Sequence, residues 1–300
     1  MQGGTATTPA ETQLTAAELE DSTPLLGDPA ALRERLRREG HLFFRRLVDP
    51  ASVAAVRGDV LARLDGVGWL DLSRPHLYTD PDWHLGYSAI QASERFHALA
   101  HDGALTAVAR SLFGEELLVM PMKIARVTYP DLDHPTPPHQ DHFFVRGAAD
   151  TLTMWVPLGD CPRDLGGLCV VPGSHRTGLR GVSPADGQGG IASDWAAGDA
   201  EYRTTDYRAG DVLMFHSFTL HWAPTNRGGA LRLSADYRYQ SRLDPVNVYA
   251  LLPHGHSAGT PAWADLCRGW ESTRWVDVEE PVRLAALSGD ATDRRRPRFL

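Results

Sequence analysis

His139 and Asp141 stand two residues apart, behind a proline-rich approach (His134 to Pro138) and just ahead of Phe143 and Phe144. In an extended backbone, residues i and i+2 face the same side, so an imidazole nitrogen and a carboxylate oxygen can meet at one point while Gln140 points away. Joined by one remote histidine, that pair is the donor set that holds iron(II) from one side and leaves the other positions open for substrate and oxygen. By itself a His-x-Asp triplet carries little weight in a chain with 13 histidines and 38 acidic residues. The remote half has to come from elsewhere.

It lies near residue 220. A Gly210-Asp211 turn leads into the apolar run Val212 to Phe215, then His216 and His221, and a strand carrying Arg232 and Ser234 follows. His221 and Arg232 are eleven residues apart. Between the two halves lie Trp155, in Thr153-Met154-Trp155-Val156-Pro157-Leu158, and the segment Gly166 to His175, which ends in Pro172-Gly173-Ser174-His175. Taken in this order, the four motifs resemble the phytanoyl-CoA dioxygenase family of iron(II)- and 2-oxoglutarate-dependent oxygenases. Its pattern is His-x-Asp, a distal histidine, and an arginine eleven residues later. The resemblance spans roughly residues 30 to 240, and four ordered motifs together are specific.

The resemblance implies that His139, Asp141 and His221 bind iron(II) and form the catalytic centre. It also implies that 2-oxoglutarate and O2 are cosubstrates, released as succinate and carbon dioxide while the substrate is oxidised. Arg232 would hold the far carboxylate of 2-oxoglutarate in a partly dry pocket through two parallel charged hydrogen bonds. Ser234, two residues on and on the same strand face, can add a hydroxyl, with an ordinary strand serine as the alternative. Trp155 matches a family tryptophan beside the cofactor, a role compatible with that of a core aromatic. His216 and His221 would face opposite sides of an uninterrupted strand, and the spacing to Arg232 selects His221, leaving His216 behind the ligands or in the core. Where the family commonly reads His-Gly-Ser, this chain reads His221-Trp222-Ala223, so a hydroxyl near 2-oxoglutarate is missing. Related halogenases carry Gly or Ala at the position of Asp141, which opens a place for chloride. A carboxylate there points to hydroxylation, with desaturation, epoxidation and ring closure as alternatives.

These residues need elements to position them. Asp28-Pro29 and Asp49-Pro50 are helix starts, Gly40 closes the first helix, and 40–48 reads as a strand. Val53, Val56, Val60, Leu61 and Leu64 recur at spacings that form one buried stripe. Residues 93–113 read as two short helices broken at Asp102-Gly103, and 66–87 as a long aromatic loop, either a pocket cover or plain surface packing. Strands are expected over 117–129, 151–158, 168–171, 202–207, 211–215 and 230–239. Several short strands with no helix between them point to a sandwich or barrel. The resemblance makes it a double-stranded β-helix, the jelly-roll, cupin-like core.

On the 117–129 strand, Met122, Ile124, Arg126 and Thr128 share one face and Lys123, Ala125 and Val127 the other. The family's strand lines the cofactor pocket, so Lys123 is a candidate cofactor contact and Arg126 a candidate substrate contact, against the commoner water-facing charge. His142 and Phe144, with His134, Phe143 and Arg146, flank the metal motif and are candidates to face substrate. His175 reads as fixing a turn, and the glycine-rich 178–200 segment as a lid or a plain connection.

The expected architecture is mainly β with flanking helices: a flexible tail over 1–27, then one oxygenase domain over 28–300. That domain comprises a helical flank (28–115), a jelly-roll core (116–240) and a C-terminal extension (241–300). With 30 basic against 38 acidic residues the net charge is −8, which argues against a nucleic-acid groove, and Arg294 to Arg296 read as a solvated tail. Three cysteines without zinc spacing read as the reduced thiols of a cytoplasmic protein. The first residues lack the makings of a secretory signal, and no run approaches the roughly eighteen apolar residues of a membrane helix. The expected partner is a small molecule, with no nucleic acid and no membrane, and the chain a monomer or homodimer.

The family spans acyl thioesters, amino-acid derivatives, and polyketide, terpenoid and aminoglycoside intermediates. Nothing marks a coenzyme A site, so tailoring of a small metabolite in secondary metabolism is the reading. Two others stay open: a cupin-like metalloenzyme that uses no keto acid, and a non-catalytic binder. Arg232 argues against both, because an arginine at that spacing has little purpose without an acid to hold.

Overall fold

Side-chain caps set the helical layer. In the computed structural model, which describes residues 16–71, 73, 83–114, 116–130, 134–195, 201–254, 261–278, 281–285 and 298–300, the Asp28 carboxylate accepts from the Ala30 and Ala31 N–H groups to start α1 (Pro29–Glu39). Asp49 accepts from Ala51 to start α2 (Pro50–Gly66), whose Val53, Val56, Val60 and Leu64 are buried. After α3 (Trp83–Gln91), Ser93 caps α4 (Glu94–Leu99) and Asp102 caps α5 (Gly103–Phe113). Each cap satisfies backbone donors that a helix start would leave orphaned.

Gly40 ends α1 in the left-handed region, at φ 76°, where an L side chain is strained. A Cβ there would press on His175 Nδ1 and come within 2.7 Å of Thr219 Oγ1. Gly40→Ala is therefore expected to cost about 2 kcal/mol of stability, read as a lowered urea midpoint at unchanged slope. An unchanged midpoint would show that the His175 ring can give way.

Two sheets face one another. One runs in the order β1 (Ala16–Glu18), β10 (Tyr202–Thr204), β7 (Cys169–Val170), β12 (His221–Ala223) and β5 (Thr136–His139). The other runs β2 (His41–Phe44), β11 (Val212–His216), β6 (Leu152–Pro157), β13 (Arg232–Ser241) and β3 (Leu117–Val119), with β4 (Ile124–Thr128) also paired to β13. A hairpin of β8 (Val182–Pro184) and β9 (Ile191–Ser193) forms a separate ladder that pairs with neither sheet.

Period-two alternation decides what each face of the second sheet does. Leu233, Ala235, Tyr237 and Tyr239 of β13, with Leu152, Met154 and Val156 of β6, pack in one core with the helices. The hydroxyls of Tyr237 and Tyr239 donate to the carbonyls of Phe96 and Ala100, tying β13 to α4. The opposite face of β13 carries Arg232, Ser234, Asp236, Arg238 and Gln240, all buried, and looks toward the first sheet. Between the sheets Phe43, Trp155, Leu168, Val170, Leu213 and Phe215 form a second apolar cluster.

Several expectations shift. Residues 16–18, assigned from the sequence to a flexible tail, pair in parallel with β10, and the Ser22 N–H donates to Phe43. The strand expected over 40–48 is present as β2, which joins the second sheet by pairing with β11. The expected 66–87 loop gives way at Trp83 to α3, while 74–82 fall outside the described residues. Trp69 is buried against Tyr129, their rings 5.9 Å apart, and lies over Gly86, so it is core rather than a pocket cover. The 178–195 part of the glycine-rich segment forms the β8–β9 hairpin. Gln188 N–H at its turn donates to Pro135, beside the metal-motif strand. In the C-terminal extension the Trp270 and Trp275 indoles donate to Ala92 and Glu94, and Phe299 is buried. Residues 1–15 and Arg294 to Arg296 lie outside the described residues. Cys161, Cys169 and Cys267 are free thiols, and no described helix is long and apolar enough to cross a membrane.

Candidate metal centre and cofactor pocket

β5 and β12 are neighbours, and their register places His221 directly opposite His139. The two rings lie 4.1 Å apart. One ligand atom from each of His139, Asp141 and His221 falls within 4.8 Å of the others, and all three residues are buried. Nε2 of each histidine is 3.7 Å from Asp141 Oδ1. The backbone differs from the extended pair inferred from sequence: β5 ends at His139, and Asp141 is helical (φ −58°, ψ −31°) as it enters a short α6 (His142–Val145). Gln140 does turn away. Its amide donates to the Phe218 and Gly178 carbonyls and its oxygen accepts from the Arg180 N–H.

The residues fit a divalent metal. His139 Nδ1 lies 2.8 Å from the Pro137 carbonyl and His221 Nδ1 2.9 Å from that of Thr219. A carbonyl only accepts, so each Nδ1 carries the proton and each Nε2 keeps its lone pair for the metal. Burial, then the adjacent His139, holds the His221 pKa down to about 3, so its ring stays neutral. Burial alone would raise the Asp141 carboxyl. The Arg238 guanidinium overcomes that and holds it well below the usual carboxylate range. Two neutral imidazoles and one carboxylate are the donors that iron(II) takes.

His216 cannot compete. Its Nδ1 accepts from the Phe218 N–H at 3.1 Å, so Nε2 carries the proton and faces Asp150 Oδ1 at 3.3 Å. Both nitrogens are committed. Nor do His216 and His221 share a strand, since β11 ends at the first and β12, in the other sheet, begins at the second.

Arg232 is 3% exposed on the inner face of β13. It donates to the Gly166 carbonyl and, at 2.8 Å, to Thr128 Oγ1, its cross-strand partner. Arg232 Nε and Ser234 Oγ, two residues apart on this face, are buried with no partner among the described residues. Unpaired buried donors are costly, and a carboxylate that accepts from both would satisfy them. The pocket therefore fits the acid end of 2-oxoglutarate. Trp155 stands on the adjacent inner face of β6, packed edge-on to Tyr207 with centroids 4.8 Å apart.

Of the remaining candidates, Phe144 is 41% exposed and sets its ring edge-on to His139 at 5.7 Å. Arg126 donates through Nε to Asp236 at 3.2 Å. Burial lowers its pKa, but Asp236 and then Asp141 outweigh that and raise it. His142 packs instead on Phe218, at 4.7 Å. Burial, then His216, holds it to about 4. Lys123 is a correction. It shares parity with Ala125 and Val127, which face the helices, and its Nζ is caged by the carbonyls of Met120, Pro121 and Trp275 at 3.2, 3.3 and 2.8 Å. With burial lowering its pKa to about 7, it anchors the C-terminal extension rather than an acid in the pocket. His175 reaches beyond its own turn, its Nε2 donating to the Arg37 carbonyl of α1.

Two residues missed from the sequence complete the centre. Thr153 Oγ1 donates to Asp141 Oδ2 at 2.6 Å, and Arg238 Nε and Nη2 reach the same oxygen at 3.2 Å. Thr153 and Arg238 are cross-strand partners. Parity with Arg232 and with Trp155 was the available signal, since each lies an even number of residues away on the same strand.

A double-stranded β-helix in which two histidines and a carboxylate converge, beside a buried arginine, defines the non-haem iron(II) oxygenases that use 2-oxoglutarate. Within that class, the phytanoyl-CoA dioxygenase (PhyH) family matches residues 36–234, and the chain belongs to it. The 1-deoxypentalenic acid 11-beta-hydroxylase of Streptomyces arenae is 27% identical over 273 residues, covering 81% of this chain and 92% of its own. Among solved structures, the epimerase SnoN with Fe3+, alpha-ketoglutarate and nogalamycin RO is 27% identical. It has a TM-score of 0.55 and covers 78% of this chain and 94% of its own. The non-haem monooxygenase ThoJ, 20% identical with a TM-score of 0.58 over 72% of this chain and 79% of its own, shares the fold.

Proposed function

We propose that this chain hydroxylates a small metabolite, with His139, Asp141 and His221 holding iron(II), Arg232 and Ser234 holding the far carboxylate of 2-oxoglutarate, and succinate and carbon dioxide as coproducts. The observation that carries this reading is the direction of the free donors. Two Nε2 atoms and Asp141 Oδ1 point at one place, while both Nδ1 atoms and Oδ2 are committed to the protein. With iron bound, decarboxylation of 2-oxoglutarate by dioxygen supplies the oxidising power to hydroxylate unactivated carbon. The chain's part is binding and orientation. Arg232 and Ser234 fix one end of the keto acid, Trp155 and its neighbours keep water from the inner wall, and the Pro137 and Thr219 carbonyls hold the imidazoles in one tautomer.

Phe144 against His139 supplies an apolar wall where a substrate would approach the centre, with Arg126 as a polar contact. The small-metabolite reading is supported by relatives named for 1-deoxypentalenic acid and nogalamycin. Free thiols are compatible with work in the cytoplasm.

Protein reconstituted with iron(II) is expected to form succinate from 2-oxoglutarate when offered its substrate from a panel of small polycyclic acids and ketones. The product should be one oxygen heavier and free of chlorine, because Asp141 fills the place that halogenases give to chloride. Substrate oxidation that proceeds without 2-oxoglutarate would overturn this reading in favour of a cupin-like metalloenzyme. A chlorinated product would overturn the argument from Asp141.

A further inference from the structure

Arg238 is 1% exposed, and a guanidinium is rarely buried to that degree without a specific partner. Its partner is one oxygen of one metal-ligand candidate. Nε and Nη2 both reach Asp141 Oδ2 at 3.2 Å, and Thr153 Oγ1 reaches that oxygen at 2.6 Å. Oδ2 thus receives three donors, which uses up its lone pairs. Oδ1 receives none of them and faces the two Nε2 atoms at 3.7 Å each. The asymmetry is built by the sheet, because the β6–β13 register sets Thr153 opposite Arg238 and aims both at the same atom.

We propose that Arg238, seconded by Thr153, is a positioning residue that makes Asp141 a single-oxygen ligand, leaving open the place at the metal that Oδ2 would otherwise take. The inference rests on His139, Asp141 and His221 being the metal ligands. A carboxylate free of these donors can bind through both oxygens and occupy an additional position. A chelating Asp141 would bring the protein's donors to four of six positions, leaving two where a keto acid and dioxygen together need three, so Oδ2 would have to be displaced before both could bind. A guanidinium suits the task because its planar fork fixes the carboxylate's orientation as well as its charge, which a flexible ammonium does not.

The test uses cobalt(II), whose visible bands report coordination, in the full chain. Wild-type protein, Arg238→Met and the near-isosteric Thr153→Val are each titrated with cobalt(II) by calorimetry and absorption. 2-Oxoglutarate is then titrated into the cobalt-loaded proteins. Arg238→Met is expected to bind cobalt about 10- to 100-fold more weakly, the usual range for removing a group that orients a metal ligand, yet to be loaded at the concentrations used, to change the visible band, and to weaken 2-oxoglutarate binding to the loaded protein. Thr153→Val should move band and affinity the same way by a smaller factor, and Arg238→Lys should restore only part of the loss. If Arg238 merely fills space, folded Arg238→Met keeps the wild-type band and 2-oxoglutarate affinity, and the proposal is overturned. Should Arg238→Met not fold, Thr153→Val decides alone, and an unchanged band and affinity there overturn it. Wild-type protein that takes up no cobalt would remove the metal site itself, and the proposal with it.

Discussion

Alanine at His139, Asp141 or His221 is expected to abolish turnover and to weaken iron binding by at least about 100-fold, whereas His216→Ala should bind iron as the unmodified protein does and keep substantial activity. Each of the three contributes one of three donors aimed at one place, so losing any one leaves two, and two hold a labile divalent ion poorly. The His216 expectation has a separate basis. Its nitrogens are occupied by the Phe218 N–H and the Asp150 carboxylate, so its loss should show as reduced stability around Asp150, which also receives the Phe299 N–H. Iron content and substrate-stimulated succinate formation, measured on all four variants, check this. Iron lost from His216→Ala and retained by His221→Ala would reverse the assignment.

Arg232→Ala is expected to raise the dissociation constant for 2-oxoglutarate far more than that for the organic substrate. Removing one side of a buried charge pair costs roughly 2 to 5 kcal/mol, on the order of a hundredfold or more in affinity. The split between the two ligands makes the test specific, because a general disturbance of the pocket would weaken both. Arg232 also braces Thr128 and the Gly166 carbonyl, so the variant should be compared with Ser234→Ala, which loses a hydroxyl without that bracing. Calorimetry showing unchanged 2-oxoglutarate binding in Arg232→Ala would place the cofactor elsewhere.

How much of this was legible in the sequence depends on how local the information is. The helices were readable because their caps lie within a few residues of the groups they satisfy, as with Asp28, Asp49, Ser93 and Asp102. The metal candidates were readable because the donor types are few and the spacing from His221 to Arg232 is distinctive. What the sequence could not convey is what stands across the sheet from a given residue. Parity shows that Arg238 shares a face with Arg232, but only the β6–β13 register and the turn at Asp141 reveal that a carboxylate awaits it. Lys123 failed for the same reason. Its parity with Ala125 and Val127 was plain, yet the Trp275 carbonyl that accepts its proton is 152 residues away. The 66–87 segment misled in another way, because Gly86 reads as a loop residue until Trp69 is seen lying across it.

β13 has a consequence for heredity. Its two faces differ, Tyr237 and Tyr239 fastening it to α4 and Arg232, Ser234 and Arg238 facing the candidate centre, and membership of either face is decided by odd or even position alone. Inserting or deleting one codon between 232 and 238 would exchange part of the two rows, turning guanidinium groups toward the apolar helical layer and tyrosines toward the metal ligands. No compensating rotation is open to a strand paired on both sides. Descendants of this gene can therefore drift here by substitution, one face at a time, but changes of length must accumulate elsewhere, in segments that belong to neither sheet.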